Sequence, residues 1–175
     1  GYLFNDKITS EQEAVTEINQ IFKSNKKKKD LRDLKFKPYR AKTYLHNRVI
    51  KNGNRAIFYE PMEALSGVFY DHINRWFFDY IHDDMDQETL NILLDERAKQ
   101  YENFIAWVYN QGSIHNTKFW KHANKITTDH LTNNPIWEAT KKHLNKTPYK
   151  DDLYKTWPFG KISWDILLKG FNASL

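Results

Sequence analysis

The amino-acid sequence predicts an all-α fold: a single-domain helical bundle built on one long antiparallel helical hairpin. Two segments, residues 61–82 and 87–110, carry apolar side chains at steps of three and four, the spacing of one face of a helix. A length of 175 residues suits one domain. Aromatic residues make up 15% of the chain, with six Trp and no Cys, so large rings can build a core that needs no disulfide.

The first predicted helix begins at Ser10 and ends near Phe22. Ser10 and Glu13 have the spacing of a capping box, in which both side chains accept hydrogen bonds from free backbone amides of the first turn. The side chains expected to be buried are Ala14, Ile18, and Ile21 or Phe22. The four lysines at 26–29 end the helical pattern.

The hairpin at 61–82 and 87–110 is the scaffold of the predicted fold. Pro61 suits the first turn of its first helix, and Gly112 suits the end of its second helix. The expected apolar face of the first helix is Leu65, Phe69, His72 or Ile73, Trp76 and Tyr80. The expected face of the second is Leu90, Leu94, Arg97, Tyr101, Phe104 or Ile105, and Val108. Because only a few residues join the two helices, they are expected to pack antiparallel.

Two interpretations are open for residues 39–59. Apolar spacing slightly favours a helix that ends at Gly53, whereas Asn52-Gly53 is also a good turn for a small β-hairpin at 43–59. Three shorter helices are expected at 117–131, 134–145 and 161–170, with an ordered loop at 149–160. No linker divides the chain, so residues 1–175 are expected to form one domain with a basic segment at 23–51 that is free to move.

Charge is distributed unevenly along the chain. The net charge is +5, but residues 21–51 carry twelve Lys or Arg against Asp30 and Asp33, a local net charge of +10. The predicted hairpin has the opposite sign, because residues 60–102 carry eleven acids against Arg75, Arg97 and Lys99, a net charge of −8. Such a division favours either a polyanionic partner or contact between the two segments.

The basic segment predicts a non-enzymatic binding or regulatory domain that contacts a polyanion, with nucleic acid favoured. Phosphates attract mobile cations, and the rings among these cations could stack on unpaired bases. The predicted contacts in this segment are Lys26, Lys27, Lys28, Lys29, Arg32, Lys35, Lys37, Arg40, Lys42 and Arg48. A second patch on the helix at 117 would add Lys118, Lys121 and Lys125.

A protein-interaction or regulatory module is the first alternative, with the basic segment docked on its own acidic hairpin. A protein partner or a second copy of the chain would need an exposed aromatic patch, for which Trp137, Trp157 and Trp164 are candidates. The sequence has no apolar run long enough to span a membrane, although attachment to an anionic membrane surface stays open. A cytoplasmic location is predicted.

The remaining alternative is a metal-dependent enzyme. His46, the pair His82-Asp83 and Asp129 occur in an order that resembles the HD-domain phosphohydrolases, and the resemblance implies a metal bound by these residues. The simpler interpretation places His82 at the solvated end of a helix. The sequence has no Gly-x-Ser-x-Gly motif, no Gly-rich phosphate loop and no Cys. We therefore predict no catalytic residue, metal ligand or cofactor, and an enzymatic function is not favoured.

Overall fold

The computed structural model describes residues 2–60, 62, 64–82, 84–113, 115–146 and 160–173, with the backbone alone at 146 and 161. The helices are α1 (Glu11–Phe22), α2 (Leu65–Ile81), α3 (Gln87–Gln111), α4 (Lys118–Leu131), α5 (Pro135–Lys146) and α6 (Lys161–Phe171). The strands are β1 (Tyr39–Arg40), β2 (Leu45–His46), β3 (Val49–Ile50) and β4 (Ile57–Phe58). The predicted fold class, helical with a small β element, is confirmed.

Helix α1 begins as its sequence predicts. The Ser10 backbone amide donates to the Glu13 carboxylate at 2.7 Å, and the Glu13 amide donates to the Ser10 hydroxyl at 3.2 Å, which completes the capping box. Ala14 is buried, but Ile21 and Phe22 are exposed. The prediction that one of those two is buried was wrong, since their side chains are 57% and 65% exposed.

Helices α2 and α3 form the predicted antiparallel hairpin. The residue numbers of the contacting pairs rise along α2 and fall along α3, as in an antiparallel pair. The ring centroids of Phe69 and Tyr101 are 5.8 Å apart, and Cζ of Arg97 lies 5.4 Å from the ring centroid of Trp76. Most residues of both predicted faces are buried, but Trp76, Tyr80 and Val108 are only half-buried. Pro61, the predicted helix start, lies outside the described residues.

Residues 39–59 contain four two-residue strands in two antiparallel pairs, so the favoured prediction of a helix there was wrong. Strand β2 pairs with β3 across a two-residue turn in which Asn47 has φ 54°, a left-handed conformation that Asn tolerates well. Strand β1 pairs with β4, the partner of Tyr39 being Phe58. The tight turn therefore lies at 47–48 and not at Asn52-Gly53, where a single 3₁₀ turn connects β3 to β4.

Helix α3 is the centre of the bundle, because α2, α4 and α5 all pack against it. A buried amide on α3, Asn103, accepts hydrogen bonds at 2.9 Å from His130 of α4 and from Asn134, which caps α5. Trp137 and Trp164 are buried in the same core, and their rings are 6.0 Å apart. The proposed aromatic docking patch is thus not formed by these two rings, and Trp157 lies outside the described residues.

None of the described helices is both long enough and apolar enough to cross a lipid bilayer. A cytoplasmic location stays a prediction.

Candidate functional site

A cavity of about 410 Å³ lies between α3 and α4. Residues 38–39 at the start of β1, residues 59–60 after β4 and Asn5 of the N-terminal segment close its remaining sides. Most of its surface is aromatic or aliphatic, contributed by Tyr39, Ile105, Ala106, Tyr109, Phe119, Ala123 and Ile126. Its size falls within the roughly 300–1,000 Å³ of small-molecule sites. Ile126 is 49% exposed, so the cavity opens to solvent beside α4.

Two carboxylates interrupt this apolar lining, and a tyrosine holds each of them. The Tyr59 hydroxyl donates to Oε1 of Glu102 at 2.8 Å, and the Tyr109 hydroxyl donates to Oε2 of Glu60. Glu60 follows β4 and Glu102 lies in the middle of α3. The cavity thus presents fixed acidic groups within an aromatic surface, the combination of apolar walls and few polar groups that is typical of ligand sites.

Arg40 connects the strands to α3 behind the cavity wall. Its Nε donates to Oε1 of Glu102 at 3.0 Å, and its Nη1 donates to Asp95, which also pairs with Lys99 at 2.7 Å. The Arg40 side chain is 30% exposed, so these ion pairs are partly shielded from water. This predicted nucleic-acid contact is therefore held by two acids of α3.

Burial raises the pKa of four tyrosines around the core and the cavity. Desolvation is the main cause at Tyr44, Tyr59, Tyr101 and Tyr109, and the neighbouring carboxylates Glu102 and Glu60 add to it at Tyr59 and Tyr109. A phenolate formed beside a carboxylate would lose its hydrogen bond and repel its neighbour. The fold therefore favours the protonated phenols.

These shifts predict alkaline unfolding. Since the folded-state pKa values are raised above the ordinary 10.0, stability is fully present below pH 10 and is lost as pH rises above it. We expect the buried phenols to ionise together with unfolding, measured by tyrosinate absorbance and circular dichroism in one titration. If all the tyrosines ionised near pH 10 with the helical signal intact, the buried positions of these phenols would be contradicted.

The other predicted nucleic-acid contacts lie outside the cavity. Lys28 and Lys35 pair with Glu11 of α1, Lys35 at 3.6 Å. The remaining side chains are exposed: Lys26, Lys27, Lys29, Arg32, Lys37, Lys42, Arg48, Lys118, Lys121 and Lys125. None of these ten side chains lines the cavity between α3 and α4.

The described residues do not bring together the metal site of the alternative enzyme hypothesis. His46 lies on β2, where the HD-domain pattern needs a helix, and His82 caps the end of α2 as the simpler interpretation expected. Within the described ranges no group of three His, Asp or Glu side chains is close enough together to hold a metal ion. Asp83, the second residue of the pair, lies outside those ranges.

The comparison with protein families decides the class of this chain. A family model described as tryptophan halogenase matches residues 1–173. This chain belongs to the tryptophan halogenase family. No curated protein and no solved structure matches it.

Membership of the tryptophan halogenase family overturns the predicted function. The family is one of enzymes, so the prediction of a non-enzymatic nucleic-acid-binding or regulatory domain was wrong. The prediction failed because the positive charge of a segment does not reveal what the charge is used for: Arg40, inside the basic segment, pairs with acids of the fold. A protein partner or a second copy of the chain stays a prediction.

Sequence reasoning also missed the cavity residues of this tryptophan halogenase family member. One signal was present: on α3, Ala98, Glu102, Ile105 and Tyr109 follow at steps of three and four and form a second face beside the main apolar one. A single acid on an otherwise apolar face is unusual and could have marked Glu102. Glu60 had no such signal, because its position beside the cavity depends on how β4 pairs with β1.

Proposed function

We propose that this chain serves the halogenation of an indole compound and that the cavity between α3 and α4 binds the aromatic substrate. The observation that supports this most is the combination, in one cavity of about 410 Å³, of aromatic walls with two anchored carboxylates. Family membership supplies the reaction class, and the cavity supplies a place of suitable size and chemistry.

The walls of the cavity suit a flat aromatic ring. Tyr39 lies on one side and Phe119 on another, while Ile105 and Ile126 provide aliphatic surface. Aromatic rings bury a large apolar area and gain additional stabilisation from edge or offset contacts with other rings. A bound indole would displace water from a largely apolar surface, which favours binding.

The carboxylates suit the chemistry of aromatic substitution. When a halogen replaces hydrogen on a ring carbon, the ring passes through a positively charged state, and its C–H proton then leaves while the bonding electrons return to the ring. A fixed carboxylate stabilises the developing charge, and it can also accept the proton. Glu60 and Glu102 are the two candidates among the cavity residues, and both are already oriented by tyrosines.

The reaction also needs a two-electron oxidant, because halide is more reduced than the halogen that bonds to carbon. The sequence contains no Gly-rich nucleotide-binding loop, and we assign no residue of this chain to binding an oxidising group. The proposal is limited to what these residues do: bind the ring, exclude water and hold a carboxylate beside it.

Filling the cavity tests the proposal. Ile126→Trp should weaken the binding of L-tryptophan and indole at least about tenfold, because the larger side chain at the opening would occupy the space that the ring needs. Isothermal titration calorimetry measures the affinity, and circular dichroism confirms that the variant is folded.

Ile92→Trp is the matched control. Ile92 lies on α3 away from the cavity and is 51% exposed, close to the 49% of Ile126. This variant should bind both ligands as the wild type does. Equal affinity in the two variants, or no binding of any indole by the wild type, would show that the cavity is not the substrate site.

A further inference from the structure

The ionisable side chains that line the cavity are two glutamates and two histidines, His122 and His130. Glu60 and Glu102 contribute carboxylates, and the described lining includes no Lys or Arg. Arg40 pairs with Glu102 but is not part of the lining, and Asp95 engages it as well. The lysines of α4 at 118, 121 and 125 are not part of the lining.

Each carboxylate has one anchored oxygen and one that is available. Tyr109 bonds Oε2 of Glu60, and both Tyr59 and Arg40 bond Oε1 of Glu102. Across the described part of the chain, Oε1 of Glu60 and Oε2 of Glu102 have no hydrogen-bond donor. The side chains are therefore fixed in place while each keeps an acceptor for a ligand.

From this arrangement we infer that the cavity selects a cationic indole amine, one with an ammonium group and no free carboxylate, such as a tryptamine or an amide-linked tryptophan. An ammonium group can donate hydrogen bonds to both free oxygens, and its positive charge offsets that of Glu60, since Glu102 is already paired with Arg40. A free carboxylate on the same ligand would meet acids without a lining Lys or Arg to offset them, which costs binding energy. The inference rests on the proposed function and narrows its substrate class.

A ligand series with one ring and different charges tests the inference. Tryptamine and L-tryptophan amide carry a positive charge, L-tryptophan is a zwitterion, indole is neutral, and indole-3-propionate is negative. At about pH 7, where both alkylamines and α-amino groups are mostly protonated and carboxyls are ionised, the two amines should bind about tenfold more tightly than indole, and their advantage over indole-3-propionate should be larger still. Titration calorimetry on the 175-residue chain gives each affinity.

Carboxylate-to-amide variants separate the charge effect from the shape of the cavity. Glu60→Gln and Glu102→Gln should each reduce the advantage of tryptamine over indole several-fold and leave the affinity for indole nearly unchanged. Glu96→Gln removes a charge from the exposed side of α3 and should keep the full preference. Melting temperatures show which variants are folded. If Glu102→Gln does not fold, the ligand series measured on the wild-type protein still tests the inference.

The outcomes distinguish this inference from the proposed function. If indole binds and Ile126→Trp blocks it, but amines bind no better than indole-3-propionate, the substrate class is wrong and the cavity assignment stands. An amine preference that Glu60→Gln and Glu102→Gln leave unchanged would also overturn the inference. If no indole compound binds at all, the proposed function fails with it.

Discussion

Phe69→Ala should lower the free energy of unfolding by about 3–5 kcal/mol, the usual cost of removing a large ring from a core. Phe69 is fully buried on α2, where its ring contacts Tyr44 before β2 and Tyr101 on α3 at 5.7 and 5.8 Å. The substitution would leave a void at the point where the strands meet both helices of the hairpin. Urea unfolding followed by circular dichroism measures the change.

The same substitution at Phe78 is the control. Phe78 lies on the same helix but is 59% exposed. Phe78→Ala should change the free energy of unfolding by less than about 0.5 kcal/mol, as surface substitutions usually do. Similar losses for the two variants would mean that the buried face of α2 has been placed wrongly.

Arg40→Gln should cost about 1–3 kcal/mol of stability, because it leaves two partly buried carboxylates without their shared cation. Asp95 keeps Lys99, whereas Glu102 keeps only the Tyr59 hydroxyl. The affinity for tryptamine should change as well, because Glu102 at the cavity wall loses both a partner that positions it and the cation that offsets its charge. Thermal unfolding and ligand titration on one preparation measure both effects.

Arg48→Gln separates this effect from the loss of one positive charge. Arg48 belongs to the same basic segment but is exposed in the turn between β2 and β3. We expect its removal to change stability by less than about 0.5 kcal/mol and to leave ligand binding unchanged. If the two arginine variants behaved alike, the ion pairs of Arg40 would contribute nothing specific.

The helices could be predicted from the sequence because their signals are local. Thr117 caps α4 through a hydrogen bond from the Trp120 amide, and Asn134 caps α5, both within a few residues of the predicted starts. In α2 and α3 the apolar spacing extends over many turns, so burial of residues such as Leu94 could be expected. Because burying a polar side chain without a partner is costly, the apolar face of each helix can be identified without knowing what packs against it.

The strands could not be predicted with the same success, because each has only two residues and gains its stability from distant contacts. The amides of Tyr44 and Leu45 both donate to the side chain of Asn91 on α3, at 2.8 and 3.0 Å. That contact joins residues more than 40 positions apart and overrides the weak helical preference of residues 39–50. The local sequence around residues 39–50 gives no indication of this contact with Asn91.

The cavity was beyond sequence reasoning for a similar reason. Its lining comes from five separate parts of the chain, and Glu60 and Glu102 meet the same space only after the strands have packed beside α3. The ion pair between Arg40 and Asp95 could not be predicted either, because the two residues are 55 positions apart in the sequence. Composition reveals how much charge a segment carries, whereas its use depends on these long-range contacts.

Histidine signals in the proton NMR spectrum test most directly whether the cavity binds an indole ring. His122 and His130 line the cavity, whereas His46 on β2 and His82 at the end of α2 do not. Replacing each His in turn by Gln assigns its signal. When tryptamine or L-tryptophan is added, the ring current of the bound indole should shift the signals of His122 and His130 and leave those of His46 and His82 in place. Shifts at His46 or His82 alone, or none at saturating ligand, would contradict the assignment of the cavity.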